Sequence, residues 1–79
     1  MNSKTKKDEL KTNILEAFGV QVRRLRKGAA ISQQDLADRC DIFRTYLSRI
    51  ETGAANPTLT VVAALASALK VPVTELFQE

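Results

Sequence analysis

Ser32-Gln33-Gln34-Asp35-Leu36-Ala37-Asp38-Arg39-Cys40-Asp41-Ile42-Phe43-Arg44-Thr45-Tyr46-Leu47-Ser48-Arg49-Ile50-Glu51 reads as two short helices separated by a tight turn. Leu36 and Cys40 share one face of the first helix, Leu47 and Ile50 one face of the second, and Ile42 plugs the corner between them. The outward face of the second helix is left with Arg44, Thr45, Ser48 and Arg49, together with the amphipathic Tyr46. These side chains hydrogen-bond base edges and phosphates. The spacing is that of a helix-turn-helix, whose second helix enters the major groove of DNA.

The flanking sequence extends this unit. Upstream, the spacing predicts a helix from near Asp8 to about Lys27, with Leu10, Ile14, Ala17 and Phe18 on one stripe that Val22 and Leu25 continue. Met1 to Lys7 are polar and basic and are expected to form a solvated tail; an arm touching phosphate through Lys4, Lys6 and Lys7 is the sharper alternative. Ser32 is an N-cap for a helix over about 33–40, and Asp41 suits a left-handed turn position. The second motif helix should cover about 44–52, with Gly53 as its stop. After a loop at 54–57, Thr58 caps a fourth helix with Leu59, Val62, Leu65, Ala66 and Leu69 on its core face. Pro72 ends the pattern, and a short fifth helix over about 73–78 carries Leu76 and Phe77.

Composition narrows the function classes. The 79 residues suffice for one small domain, for which dimerisation is a common source of added burial. Twelve Lys and Arg against nine Asp and Glu leave a net charge of only +3, so the placement of charge matters more than its sum. With no His, the usual near-neutral acid and base is missing, and one Cys without His excludes a zinc site of those ligands. Cys40 lies on the apolar helix face and reads as a small core residue; as a lone cysteine it forms no internal disulfide and fits a reducing cytoplasm. No glycine-rich phosphate loop is present, and no apolar run approaches the roughly 20 residues that span a bilayer. No catalytic residue, metal or cofactor is expected.

From about Phe18 to Phe77 the chain resembles the lambda-repressor-like family of helix-turn-helix regulators. The residues that carry the resemblance are Leu25-Arg26, Ile31-Ser32-Gln33, Leu36-Ala37, Ile50-Glu51, Gly53 and Asn56-Pro57-Thr58-Leu59, then Ala66, Leu69, Val71-Pro72 and Glu75-Leu76-Phe77. Within it, Arg44-Thr45-Tyr46-Leu47-Ser48 followed by Ile50-Glu51 is similar to restriction-modification controller proteins, small dimeric regulators of their own gene and of the endonuclease gene. The chain departs from the pattern at four places. Ala55 stands where a basic residue is usual, Ala30 and Asp41 where Gly is usual, and Phe43 where a capping Ser or Thr is usual. An uncapped helix start costs about 1 kcal/mol. Ala30 requires either that the first helix end early or that an alanine accept a left-handed conformation.

The resemblance assigns roles. Arg44 should point into the major groove, where an Arg pairs bidentately with guanine. Thr45 meets a base edge or a thymine methyl, and Phe43 a thymine methyl or the other protomer. Tyr46 is open between phosphate contact and packing, Ser48 between DNA and solvent, and Arg49 is a phosphate or base candidate. Gln33 resembles a phosphate-anchoring Gln at a helix N-terminus, and Asn56 either binds phosphate or holds its loop. Arg26 and Glu51 match a buried ion pair. Leu76 and Phe77 are dimer-interface candidates, with Leu76 turned inward and Phe77 outward. Asp35 and Asp38 read as a solvated face that an RNA polymerase could also touch.

The expectation is an all-α, five-helix, lambda-repressor-like DNA-binding domain over residues 8–79, with a flexible tail at 1–7, the motif at about 32–52 and dimerisation through about 70–79. Its expected partners are a double-stranded DNA operator and a second copy, with no membrane. A phage-type repressor or antitoxin-type autorepressor is the alternative of the same class, and a protein-interaction module on the same scaffold that of another.

Overall fold

The computed structural model describes the backbone of residues 3–78 and the side chains of 9, 10 and 13–78. Four α-helices follow in order: α1 (Ser3–Gly28), α2 (Gln33–Arg39), α3 (Arg44–Glu51) and α4 (Leu59–Leu69). A 3-10 turn at Val73–Phe77 closes the chain, and no strand occurs among the described residues.

α1 begins at Ser3 and not near Asp8, so the expected tail is helical from there. The stretch from Ser3 contains no Gly or Pro to stop a helix, and Lys is a good helix former. Met1 and Asn2 lie outside the described residues, as do the side chains of Lys4, Lys6 and Lys7. The expected fifth α-helix is a 3-10 turn of five residues. Val73 and Thr74 are β-branched and weak helix formers, and the segment closes by an i→i+3 bond in which the Glu75 amide donates to the Pro72 carbonyl at 2.9 Å.

The core gathers one stripe from each element. Phe18 and Val22 of α1 meet Leu36 and Ala37 of α2, Leu47 and Ile50 of α3, Val62, Leu65, Ala66 and Leu69 of α4, and Leu76. Two expectations about this core are corrected. Leu59 is 84% exposed, because it opens α4 before the helix reaches the body. Leu10, Ile14 and Ala17 are exposed, because burial on α1 starts only at Phe18. The 26-residue α1, about 39 Å long by its rise, accounts for most of the 43 Å long dimension of the molecule.

Local chemistry fixes the corners. The Ser32 hydroxyl accepts from the Asp35 amide at 3.0 Å, capping α2. Thr58 caps α4 in the same way, accepting from Val61 at 3.3 Å. Phe43 precedes α3 without a side-chain cap. Asp41 turns the motif with φ 55°, and Ala30 takes the left-handed option at φ 58°. α1 thus runs on through Gly28 at a local strain of about 1–2 kcal/mol. Gly53 ends the α3 region at φ 79°, where a Cβ would meet Glu16 Cγ at 2.8 Å.

Candidate nucleic-acid interface

α2 and α3 pack through Leu36, Ala37, Leu47 and Ile50, and Ile42 sits against this cluster at the corner. That packing leaves one face of α3 and its approach in solvent. Phe43 is 84% exposed, Arg44, Thr45 and Arg49 are exposed, and Tyr46 and Ser48 are half-buried. Tyr46 also packs against the core, so its ring is structural whatever its hydroxyl does. Phe43, Arg44 and Thr45 share a groove with Gln34 and Asp38 of α2, and with the turn residue Asp41.

Beneath this face runs a line of polar contacts. Arg26 of α1 donates to Glu51 of α3 through Nε at 2.7 Å and Nη2 at 3.0 Å. The side chains are 11% and 3% exposed, and Arg26 also donates to the Ile31 carbonyl at 3.1 Å. The hydrogen bond to Glu51 raises the Arg26 pKa further above its ordinary value, against the lowering effect of burial. Gln33 Nε2 donates to Glu51 Oε1 at 3.2 Å, and Gln33 Oε1 accepts from Arg44 Nη1 at 3.3 Å. A buried ion pair, one amide and one exposed guanidinium therefore form a single chain. Every buried side-chain polar atom among the described residues has a partner. Gly19 permits the close approach of α1 to α3: a Cβ there would lie 2.6 Å from the Glu51 carbonyl oxygen.

The remaining candidate residues are dispersed. Arg49 Nη2 donates to the Ala54 carbonyl at 3.1 Å, so this side chain turns toward the loop after α3. Asn56 is exposed but lines a separate groove with Ile14, Pro57, Leu59 and Phe77, away from Arg44. Asp35 and Asp38 are both exposed, and Gln34 donates to Asp38 at 2.9 Å. Leu76 is wholly buried within its own chain, which leaves no surface for a partner copy, contrary to its expected place at a dimer interface. Phe77 is half-exposed. Ala55 is buried in the core, so the position that usually carries a basic side chain here serves packing.

Gln21 escaped the sequence reading. It is buried and donates to the Glu75 carbonyl at 2.7 Å, tying α1 to the 3-10 turn, while its Oε1 accepts from Arg24 at 3.0 Å. The signal was available: Gln21 lies three residues after Phe18 and four before Leu25, on the apolar stripe.

Residues 17–77 match the model of the helix-turn-helix domain. The chain belongs to the helix-turn-helix family. Among similar helix-turn-helix proteins is the control protein C.BamHI of Bacillus amyloliquefaciens, 42% identical over 60 residues that cover 75% of this chain and 74% of that protein. The immunity repressor of Bacillus phage phi105 is 33% identical over 61 residues, covering 77% of this chain but 42% of the repressor. Among solved structures, the restriction-modification controller protein C.AhdI of Aeromonas hydrophila superposes with a TM-score of 0.78 at 36% identity, covering 80% of this chain and 96% of that one. These relatives are named as regulators and not as enzymes. Among the described residues of this helix-turn-helix protein no group of side chains could hold a metal ion, and no helix is long and apolar enough to cross a membrane.

Proposed function

We propose that this chain is a sequence-specific, DNA-binding transcriptional regulator of the restriction-modification controller type, acting as a homodimer on a palindromic operator in the cytoplasm. The observation that carries the reading is the exposed face of α3. Arg44 and Thr45 stand free of the core on a helix that is itself locked to α1 and α2. A helix presented in this way enters the major groove, and its Arg supplies a bidentate contact to guanine worth roughly 1–3 kcal/mol of discrimination. Thr45 and Phe43 lie close enough along the helix start to meet a base edge or thymine methyl. Ser48, Tyr46 and Arg49 serve the flanking backbone, and Asn56 the phosphate next to its loop. Arg49 must first release the Ala54 carbonyl.

Two copies related by a two-fold axis set their α3 helices about 34 Å apart, one turn of DNA. Occupancy blocks or recruits polymerase, for which Asp35 and Asp38 offer an exposed acidic pair. Similarity favours a controller over a phage-type repressor: the chain is 42% identical to C.BamHI and 33% identical to the phi105 repressor over the matched residues.

The test is a gel-shift titration on the DNA immediately upstream of this protein's own gene, at two salt concentrations with nonspecific competitor. Stepwise retarded bands that survive competitor and disappear with Arg44→Ala are expected. Weak binding that vanishes with salt is ordinary phosphate attraction and removes the autoregulatory reading.

A further inference from the structure

The helix-turn-helix match begins at residue 17, so the turns Ser3–Glu16 of α1 lie ahead of it. The similarity to C.AhdI covers 96% of that chain and 80% of this one. The forward turns carry the apolar stripe of α1 past the body: Leu10 is 61% exposed and Ile14 56% exposed.

Ile14, Phe18 and Phe77 line two neighbouring grooves, and Ile14 and Phe77 stand exposed between them as a ridge. On one side Leu10 and Ala17 wall a groove of about 400 Å³; on the other Leu59 and Val62 wall one of about 170 Å³. The ridge is firm, because the Phe77 ring leans on Phe18 with centroids 5.2 Å apart and planes tilted by 41°. A second copy turned by a two-fold axis can bring this ridge to the adjoining groove and its own ridge to the groove here. A two-fold contact requires this, because the same patch must serve as both partners.

We infer that the forward turns of α1 are a dimerisation arm: Leu10 and Ile14 of one copy pack with the Phe77 ridge of a second copy. The arm rests on the reading of the chain as a dimeric regulator and extends the contact beyond the C-terminal segment. The size is suitable. The apolar part of the forward turns begins at Leu10 and joins the body by Ala17, a strip about 12 Å long, and the turns ahead of it are polar and charged. With the exposed Leu59 and Phe77 beside it, the strip supplies the apolar centre of an interface that takes about 800 Å² from each partner. An isolated helix end of this length is marginal in water, and a partner copy provides the packing that keeps it helical.

The experiment is sedimentation equilibrium of the full-length chain without DNA, alongside Leu10→Glu/Ile14→Glu and Leu10→Ala/Ile14→Ala double variants. Both positions are exposed and Glu and Ala are good helix formers, so the variants keep the fold, which far-UV circular dichroism checks. Each substitution counts twice in a two-fold interface, so the dimer dissociation constant should rise about a hundredfold for the Ala pair and further for the Glu pair. Dissociation constants equal to the parent's, or a parent that sediments as a monomer throughout, overturn the arm. A parent that dimerises through these residues yet shifts no DNA upholds the arm and removes only the regulator reading.

Discussion

Gln33 holds Arg44: the amide oxygen of one accepts from the guanidinium of the other at 3.3 Å, across the groove between α2 and α3. The amide cannot turn around, because its nitrogen donates to the Glu51 carboxylate, which has no proton to give in return. Gln33 therefore presents an acceptor outward. The second N–H of the same amide remains available to a phosphate. We propose that Gln33 aims Arg44, a role its bond to the guanidinium supports.

Substituting Gln33→Ala should then relax base preference at the position Arg44 reads, and leave the dependence of binding on salt unchanged. A phosphate contact would act in the opposite way, weakening all sequences alike and lowering the salt slope by about one unit. Titrating a panel of single-base operator variants at several salt concentrations separates the two.

Breaking the buried ion pair should be costly. Arg26→Ala strands a Glu51 carboxylate that is 3% exposed, at about 3–5 kcal/mol. In a domain of this size the melting temperature falls by about 15–30 °C. The double substitution Arg26→Met/Glu51→Leu should recover most of that loss, since it removes both charges together. Thermal unfolding followed by circular dichroism measures both.

At Gly19 the backbone of α1 touches the end of α3. A Cβ would press on the carbonyl oxygens of Ile50 and Glu51, with no flexible side chain to give way. Gly19→Ala should destabilise the domain although alanine is the better helix former, with a loss of about 1–3 kcal/mol from overpacking. Equilibrium denaturation in urea reads this directly; a gain in stability would mean that the two helices are further apart than described.

The thiol of Cys40 is pushed up by burial, so less of it is thiolate at neutral pH. Alkylation by a maleimide at pH 8 should be slower than that of free cysteine and should reach the free rate in denaturant. Reactivity equal to free cysteine in the folded chain would show the α2 face to be open.

The helix-turn-helix was legible because its signals are local. Leu36, Cys40, Leu47 and Ile50 recur at helical spacing, Ser32 and Thr58 cap, and Gly53 stops. What the sequence could not supply was the reach of the body along α1. Leu10 and Ile14 continue the stripe of Phe18 and Val22 faithfully, yet only the latter pair is covered, because periodicity marks a face and not the partner that buries it. Leu59 misled for the same reason at the other end of a helix. The polar chain from Arg26 to Arg44 joins residues 25 and 11 positions apart, and only tertiary packing creates it. Gln21 was readable from its place on the apolar stripe, where a polar residue demands a buried partner.

On the proposed function, the α3 face reads DNA sequence as part of a two-fold dimer. Selection of bound duplexes from a random pool, with the parent and Arg44→Ala in parallel, tests it most directly. The parent should enrich an inverted repeat with half-sites about one helical turn apart, and Arg44→Ala should lose preference at one symmetric pair of positions. A pool that stays random after repeated rounds with the parent would contradict the claim.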